Sequence, residues 1–414
     1  MISERTLYVG IVPIGQREPV PAGILKLVRR DMIESGSFAY GRRYLTTPEM
    51  ISLNPEHLPL RQEPFELPEQ RLRDGGALPL TLCDALPDAW GRWVLEAKYG
   101  RKLDDTEVLL LTNADRVGAL VFSETLPIPA EEPTADLFEL DALADAAHRL
   151  EYHMEIPKAL QRLLQQGGSL GGARPKASFI HEGRRHIAKF PARDDEVDVQ
   201  VLEAGSLGLA RTCGIRVPQY FLQPIRRGNA LVLRRFDREG PIADELRFHF
   251  LSASALLDVP YESSAGSYVE FAQVLRRISF APTLDVVELF RRMVFNMAID
   301  NTDDHIKNHG VLHVGHGHYR LSPAFDLVPQ RHNLGRQELA ILPGRYDAHL
   351  DLAREAAPHF GLGPAEAAKI IDEIIQTVRD QWYVTMQAHG ANDEMLHVLR
   401  RHFDAQFALI GATT

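Results

Sequence analysis

The stretch from Asn296 to Val328, NMAIDNTDDHIKNHGVLHVGHGHYRLSPAFDLV, constrains this chain more than any other. Asp300, Asp303, Asp304 and Asp326, with Asn301, Lys307 and Asn308, sit here between apolar runs rather than in a solvated charge block. An apolar helical run, VVELFRRMVFNMAI, leads in. A short hairpin, GVLHV and HYRLS around a Gly-His-Gly turn, leads out to Pro323-Ala324-Phe325-Asp326-Leu327. Burying so many acids near an apolar core is costly unless something cationic compensates. A divalent metal carrying a phosphate chain would compensate.

The spacing sharpens this. Asp303 precedes Asn308 by five positions, the interval of the kinase catalytic loop D-x-x-x-x-N, where the Asp accepts the proton of the attacking hydroxyl and the Asn holds magnesium. A second Asp, set after a hairpin among apolar residues, holds the metal that bridges the phosphates. Asp326 fits that position, with Phe325 before it and Leu327 where a protein kinase carries the Gly of DFG. Any one of these residues alone reads as an Asn/Asp turn capping a helix. The ordered set points to phosphoryl transfer.

The chain is 414 residues long, enough for two or three domains with real cores. Its net charge of −10 argues against a broad basic face for nucleic acid. Cys83 and Cys213 lie far apart with no metal-type spacing, as expected in a reducing cytoplasm. MISERTLYVG has no signal-peptide pattern, and no apolar run reaches membrane length. The expected setting is therefore cytoplasmic, with no membrane contact.

Taken in order, LYVGIVPI, AGILKLV and SFAYGRRYL read as strands of a small antiparallel sheet. Leu78 to Tyr99 is helical but interrupted at Pro87-Asp88, where Asp88 can cap the second segment. Asp105 to Leu111 reads as a helix and VGALVF as a strand; LPIPAEEPTADLF, with its three prolines, reads as a linker. Helices follow from Leu137 to Tyr152 and over PKALQRLLQQ, then the glycine-rich run Gly168 to Ala177 opens onto ASFIH. Such a run can turn backbone N–H groups toward phosphate oxygens, although it matches neither standard phosphate-loop pattern and most such runs are plain turns.

Lys189, at the end of the strand preceding Phe190-Pro191, is similar to the kinase strand lysine that grips phosphates. Glu203, on the amphipathic helix that follows, can pair with it. RVPQYFLQP and NALVLRRFDR form two strands leading into a hinge at Leu233, Arg234 and Phe236, whose backbone would read an adenine edge. Asp237 and Arg238 read as a structural ion-pair network. From Leu246 onward the pattern is helical through RFHFLSASALLDV and SYVEFAQVLRRI, ELAILP reads as a strand, and three helices end the chain, one with Pro364 at its first position.

Together these motifs resemble the HipA family of bacterial serine/threonine kinases, the toxin half of HipBA-type toxin–antitoxin pairs, over nearly the whole chain. DALPDAWGR, SLGGARPKASF, IAKFP, VLRRFDR, RFHFLSASALL, NTDDHIKNHG and LSPAFDLVP carry the resemblance. It implies an α+β, two-lobed protein-kinase-like fold: a small β-rich N-terminal subdomain (1–125), a mixed N-lobe (126–236) and a mainly helical C-lobe (237–414). It implies ATP and Mg2+ as cofactors, Asp303 as base, and Asn308 and Asp326 as magnesium ligands. Lys189 would hold phosphates with Glu203 orienting it. Gly171, Gly172, Ala173, Arg174 and Lys176 would line the nucleotide loop, with His305 and Lys307 near the transferred group. Ser169 falls where the family carries an autophosphorylated serine, and a dianion there would eject the loop. Arg174-Pro175 departs from the family's Gln-Glu, which bears on the loop's geometry.

The implied partners are a HipB-like helix-turn-helix antitoxin, through which most DNA contacts would run, and a protein substrate such as an aminoacyl-tRNA synthetase. Two other readings share these residues. A small-molecule phosphotransferase has the same D-x-x-x-x-N spacing but should lack the N-terminal extension. A non-catalytic, antitoxin-binding co-repressor would have no need of the intact Lys189, Asp303, Asn308 and Asp326 set.

Overall fold

The computed structural model describes residues 2–72, 76–87, 89–112, 115–129, 139–152, 154, 174–260, 263 and 265–412. Alternation of apolar and polar residues builds the first sheet from β1 (Ile2–Ile11), β2 (Val20–Arg30), β3 (Ile33–Tyr40), β4 (Phe65–Arg71) and β5 (Leu120–Ser123). All pairings are antiparallel, in the order β4-β3-β2-β1-β5. Leu7, Val9, Leu25, Leu27 and Phe38 close one face against Leu82 of the helix Leu80–Cys83. The sequence reading misses β4, whose FELPEQR carries a proline and charges. Both suit an edge strand, where an unpaired N–H is dispensable and charge blocks further pairing.

This subdomain is bolted to the segment 249–257 by polar bonds. The His249 Nε2–H donates to the Leu53 carbonyl at 2.8 Å, and the buried Asn54 amide donates to the Ala255 carbonyl at 2.8 Å. Asp84 accepts from both the N–H (2.7 Å) and the hydroxyl (2.6 Å) of Ser252. A second dock is ionic. Asp237 is buried between Arg235 and Arg238, each 2.7 Å away, and also accepts from the Gly118 N–H at 2.8 Å. Asp237 and Arg238 thus form the structural network that the sequence suggested.

The second sheet comprises β6 (Lys176–His181), β7 (Arg184–Lys189), β8 (Tyr220–Ile225) and β9 (Gly228–Arg234), ordered β6-β7-β9-β8. Against it lies the helix Val199–Thr212, capped by Asp198, whose carboxylate accepts from the Val201 N–H at 3.0 Å. Its other side packs on the long helix Pro364–Ala388. Gly205 permits that approach: a Cβ there would lie 2.3 Å from the Met386 sulfur. Residues 168–173 of the glycine-rich run, the PKALQRLLQQ segment and Asp88 lie outside the described residues.

The remaining chain is mainly helical around a single large core. It includes a hairpin, β10 (Arg238–Glu239) with β11 (Leu246–Arg247), and a small sheet of β12 (Phe250–Ser252), β13 (Gly310–Gly315) and β14 (His318–Leu321). Two expectations need correction here. RFHFLSASALLDV is helical only over Ala253–Leu257, because Phe250–Ser252 pairs with β13 and Ser252 then caps the short helix. ELAILP forms no strand: the Glu338 and Leu339 N–H groups bond to the Thr302 and Asp304 carbonyls, so its backbone serves an irregular loop instead of a ladder. Among the described residues no helix is long and apolar enough to cross a membrane.

Candidate active site

The helix Pro282–Ile299 starts with Pro at its first turn and is buried along most of its length. It ends at Asp300, which adopts φ +56 and reverses the chain. Aspartate tolerates this left-handed geometry better than most side chains. The Asp300 carboxylate then accepts from the His332 and Asn333 N–H groups at 3.0 and 2.8 Å. Asp304 also turns inward. It accepts from the Tyr268 hydroxyl and forms an ion pair with His309 at 3.0 Å. Although burial alone would raise its pKa, His309 and the Tyr268 bond hold the Asp304 carboxyl below the usual range. These two aspartates are clamps that shape the loop between them.

Asp303 faces the other way and keeps a solvent-exposed surface. Its pKa is raised, first by the desolvation of its surroundings and further by the charges of Asp326 and Asp304, with His305 opposing. Asn308 closes the single turn Ile306–Asn308, and its carboxamide donates to the Asp303 carbonyl at 3.2 Å. This bond fixes the D-x-x-x-x-N loop as one unit. Lys307 lies on the same turn.

Asp326 is delivered by β14 and the segment after it, again with a positive φ, +54. A non-glycine residue held there costs about 1–3 kcal/mol and is typical of functional positions. Asn301 donates to the Asp326 carbonyl at 3.3 Å, and Phe325 stacks on Phe236 with ring centroids 5.5 Å apart. Phe236 leads out of β9, so the hinge and the Asp326 segment are in direct contact.

Lys189 lies between the two halves. Its ammonium donates to Glu203 at 2.7 Å and to the Asp326 carboxylate. Burial would lower the Lys189 pKa, but Asp326 and Glu203 more than reverse this and keep it protonated. Asp326 shows the converse: burial alone would raise it, yet Lys189, Lys176 and His305 together hold it well below the usual carboxylate range. Glu203 is enclosed more deeply and is shifted upward, chiefly by desolvation. Lys176 is the cross-strand partner of Lys189 in the β6–β7 ladder. Like charges directly opposite are unfavourable, so the pair depends on the nearby carboxylates. Arg174 is held by Asp195 through an ion pair.

Asp303, Asp326, Lys189, Glu203, Lys176 and His305 are therefore one electrostatically coupled group, to which Asn308 is joined through its bond to the Asp303 carbonyl. Leu233 is buried in the core, and the Arg234 guanidinium bonds the Gln219 side chain at 3.0 Å beside a cavity of about 280 Å³ at the hinge. Gly171, Gly172, Ala173 and Ser169 lie outside the described residues. Sequence reasoning missed the clamps at Asp300 and Asp304: His332 and Asn333 lie 32 and 33 positions from Asp300 and Tyr268 lies 36 from Asp304, so of these partners only His309 is near in sequence.

Asp326 and Asn308 fit a magnesium ion. Both present hard oxygens, and the Asn308 nitrogen is committed to Asp303, so oxygen is the atom it can offer a cation. Magnesium commonly takes only one or two protein ligands and completes its shell with water and phosphate.

A two-lobed, kinase-like protein is the class that this fold and cleft define. Residues 168–382, just over half of the chain, match the family model described as HipA-like C-terminal domain, and the chain belongs to that family. A putative kinase of Sinorhizobium fredii, Y4mE, is 27% identical over 324 residues, covering 70% of this chain and 71% of its own. A second from the same organism, Y4dM, is 24% identical over 223 residues, covering 51% and 53%. The HipA chain of a Shewanella oneidensis complex of HipA, HipB and operator DNA superimposes with a TM-score of 0.67 at 15% identity, covering 98% of this chain and 97% of that one. That likeness shows the fold.

Proposed function

We propose that this chain is a Mg-ATP-dependent serine/threonine protein kinase of HipA type. The observation that carries the reading is the placement of Lys189, held by Glu203 and Asp326, across the cleft from the Asp303–Asn308 loop. Lys189 grips phosphate oxygens, and Glu203 fixes its angle. Lys176 and Arg174 add positive charge for the phosphates, and Gly171, Gly172 and Ala173 are assigned to nucleotide binding. Leu233, Arg234 and Phe236 present the hinge to the adenine. Asn308 and Asp326 would hold magnesium, which would supply neutralisation of the phosphate charge.

Asp303 orients the acceptor hydroxyl and takes its proton. Its upward shift, from burial and the neighbouring carboxylates, makes it a better proton acceptor than an ordinary surface carboxylate. His305 and Lys307 are assigned to oppose charge on the transferred group. Most of the acceleration in such chemistry comes from positioning and electrostatics. Ser169 is assigned as the autophosphorylated position that switches the loop off. The domain division at 125 and 236 belongs to the same proposal.

The physiological role proposed is that of a toxin acting on a translation-related protein, such as an aminoacyl-tRNA synthetase, and neutralised by a HipB-like helix-turn-helix antitoxin that makes most DNA contacts. The Shewanella complex supports that pairing by analogy of fold. Labelling of a bacterial lysate with γ-labelled ATP tests the activity. The intact chain should label one or a few proteins, and Asp303→Asn should lower labelling at least a hundredfold while retaining ATP binding. Equal labelling by the two would remove Asp303 as base.

A further inference from the structure

Asp304 and Asp326 stand at the two ends of a buried line of side chains. An ionised carboxylate can only accept, so the Tyr268 hydroxyl donates to Asp304. With its hydrogen committed there, the Tyr268 oxygen accepts from the Asn296 carboxamide nitrogen at 3.0 Å. That turns the Asn296 Oδ1 toward Asn301, whose Nδ2 donates to it at 3.1 Å and to the Asp326 carbonyl at 3.3 Å. Reversing either amide would set two acceptors face to face. The anionic end therefore fixes the sense of every bond as far as the main chain of Asp326.

Tyr268, Asn296, Asn301 and Asp304 are all buried, and Asn296 sits between the fully buried Phe295 and Met297. The Asn301 N–H also bonds the Asn296 carbonyl at 2.9 Å, so the two asparagines are joined twice. Polar groups this deep cost stability unless all are satisfied, and apolar replacements of the same shape can serve as well. Here one is left over: the Asn301 Oδ1 meets no hydrogen-bond partner among the described residues. Stability is thus a weak account of the line, and its two ends give a stronger one. Asp304 follows the proposed base in the chain. Asp326 is a non-glycine residue held at φ +54, and the Asn301 amide grips its main chain from outside the segment.

We infer that Asn296 and Asn301 form a strut that fixes the main chain of Asp326 against the Asp303–Asn308 loop, keeping Asp326 and Asn308 in register for one magnesium ion. The inference rests on the proposed reading of Asn308 and Asp326 as magnesium ligands. Both asparagines are positioning residues, and they act through Asp326.

Asn301→Ala and Asn296→Ala cut the strut at two places. Gln406→Ala is the control: it removes a buried amide that bonds the Met297 carbonyl of the same helix at 2.7 Å but lies outside the strut. The probe is Mn2+ in place of magnesium, titrated by electron paramagnetic resonance on the full chain with a non-hydrolysable ATP analogue. A fluorescent ATP analogue in EDTA gives the metal-free nucleotide affinity. Partners that orient a metal ligand commonly set metal affinity by about 10–100-fold, so Asn301→Ala should weaken Mn2+ binding about tenfold. Asn296→Ala should act in the same direction, and carries the test if Asn301→Ala does not fold. Metal-free nucleotide affinity should stay within about twofold of the parent, and Gln406→Ala should lower Tm and leave Mn2+ binding unchanged. Mn2+ affinity within about twofold of the parent in the folded strut variants overturns the inference. An equal loss in Gln406→Ala does so too, since general loosening would then explain the effect. If the parent binds the analogue with no dependence on Mn2+, the reading of Asn308 and Asp326 as metal ligands fails and takes the strut's role with it. That outcome is read on the parent alone and is distinct from parent and variants binding Mn2+ equally.

Discussion

Replacing Glu203 by Gln and Lys189 by Met, singly and together, measures how firmly the two are coupled. Their charged atoms are 2.7 Å apart, with side chains 5% and 13% exposed. At an effective dielectric near 20, unit charges about 4 Å apart attract by about 4 kcal/mol. Two features of the cleft reduce the measurable part. Lys189 retains Asp326 when Glu203 is neutralised, and the repulsion between Glu203 and Asp326 is relieved by the same change. The coupling should therefore be about 1.5–3 kcal/mol, the range for a hydrogen bond to a charged group. Lys189→Met alone should cost more, up to about 3–5 kcal/mol, since it strands two carboxylates at once. Urea unfolding at pH 7 of the parent, both single variants and the double variant gives the cycle. A coupling below about 0.5 kcal/mol, or Glu203→Gln proving the costlier single change, would refute the reasoning.

Other outcomes can be checked alongside. Tyr268→Phe removes the hydroxyl that donates to Asp304 and accepts from Asn296 at 3.0 Å, so it should cost about 1–3 kcal/mol in urea unfolding and lower kcat through a loosened loop. Acid should destabilise the chain through His249 and His313, both pushed down to about 4 by burial. Below an unfolded-state pKa near 6.5 the unfolded chain takes up protons that the native state refuses, so stability falls as pH drops from about 6.5 to 4. The limit is about 3 kcal/mol for each group. A stability flat over that window, by urea unfolding at several pH values, would remove both histidines as buried neutral groups.

The skeleton of the candidate site is legible in the sequence because its signal is local. The five-residue interval from Asp303 to Asn308 and the hairpin before Asp326 can be read without knowing any distant contact. Glu203 is legible for a related reason, since a glutamate among Val201, Leu202 and Leu207 on a helix needs a buried cation. Where bonds reach far along the chain, the sequence offers little. Asp304 has the same composition and neighbourhood as Asp303, and only Tyr268 and His309 separate their roles. RFHFLS looks helical by its apolar residues, but its backbone is claimed by β13, sixty residues on. ELAILP looks like a strand by propensity, yet the Thr302–Asp304 loop takes its first two N–H groups. The edge strand Phe65–Arg71 hides behind the very residues that protect an edge.

The missing side chain at Gly205 has a consequence for control. The helix that bears Glu203 is seated so closely on Pro364–Ala388 that one added methyl would collide with Met386. Protein kinases are commonly silenced by swinging the corresponding helix outward and parting the lysine from its glutamate. Here such a swing would have to tear open the interface between that helix and a 25-residue C-terminal one.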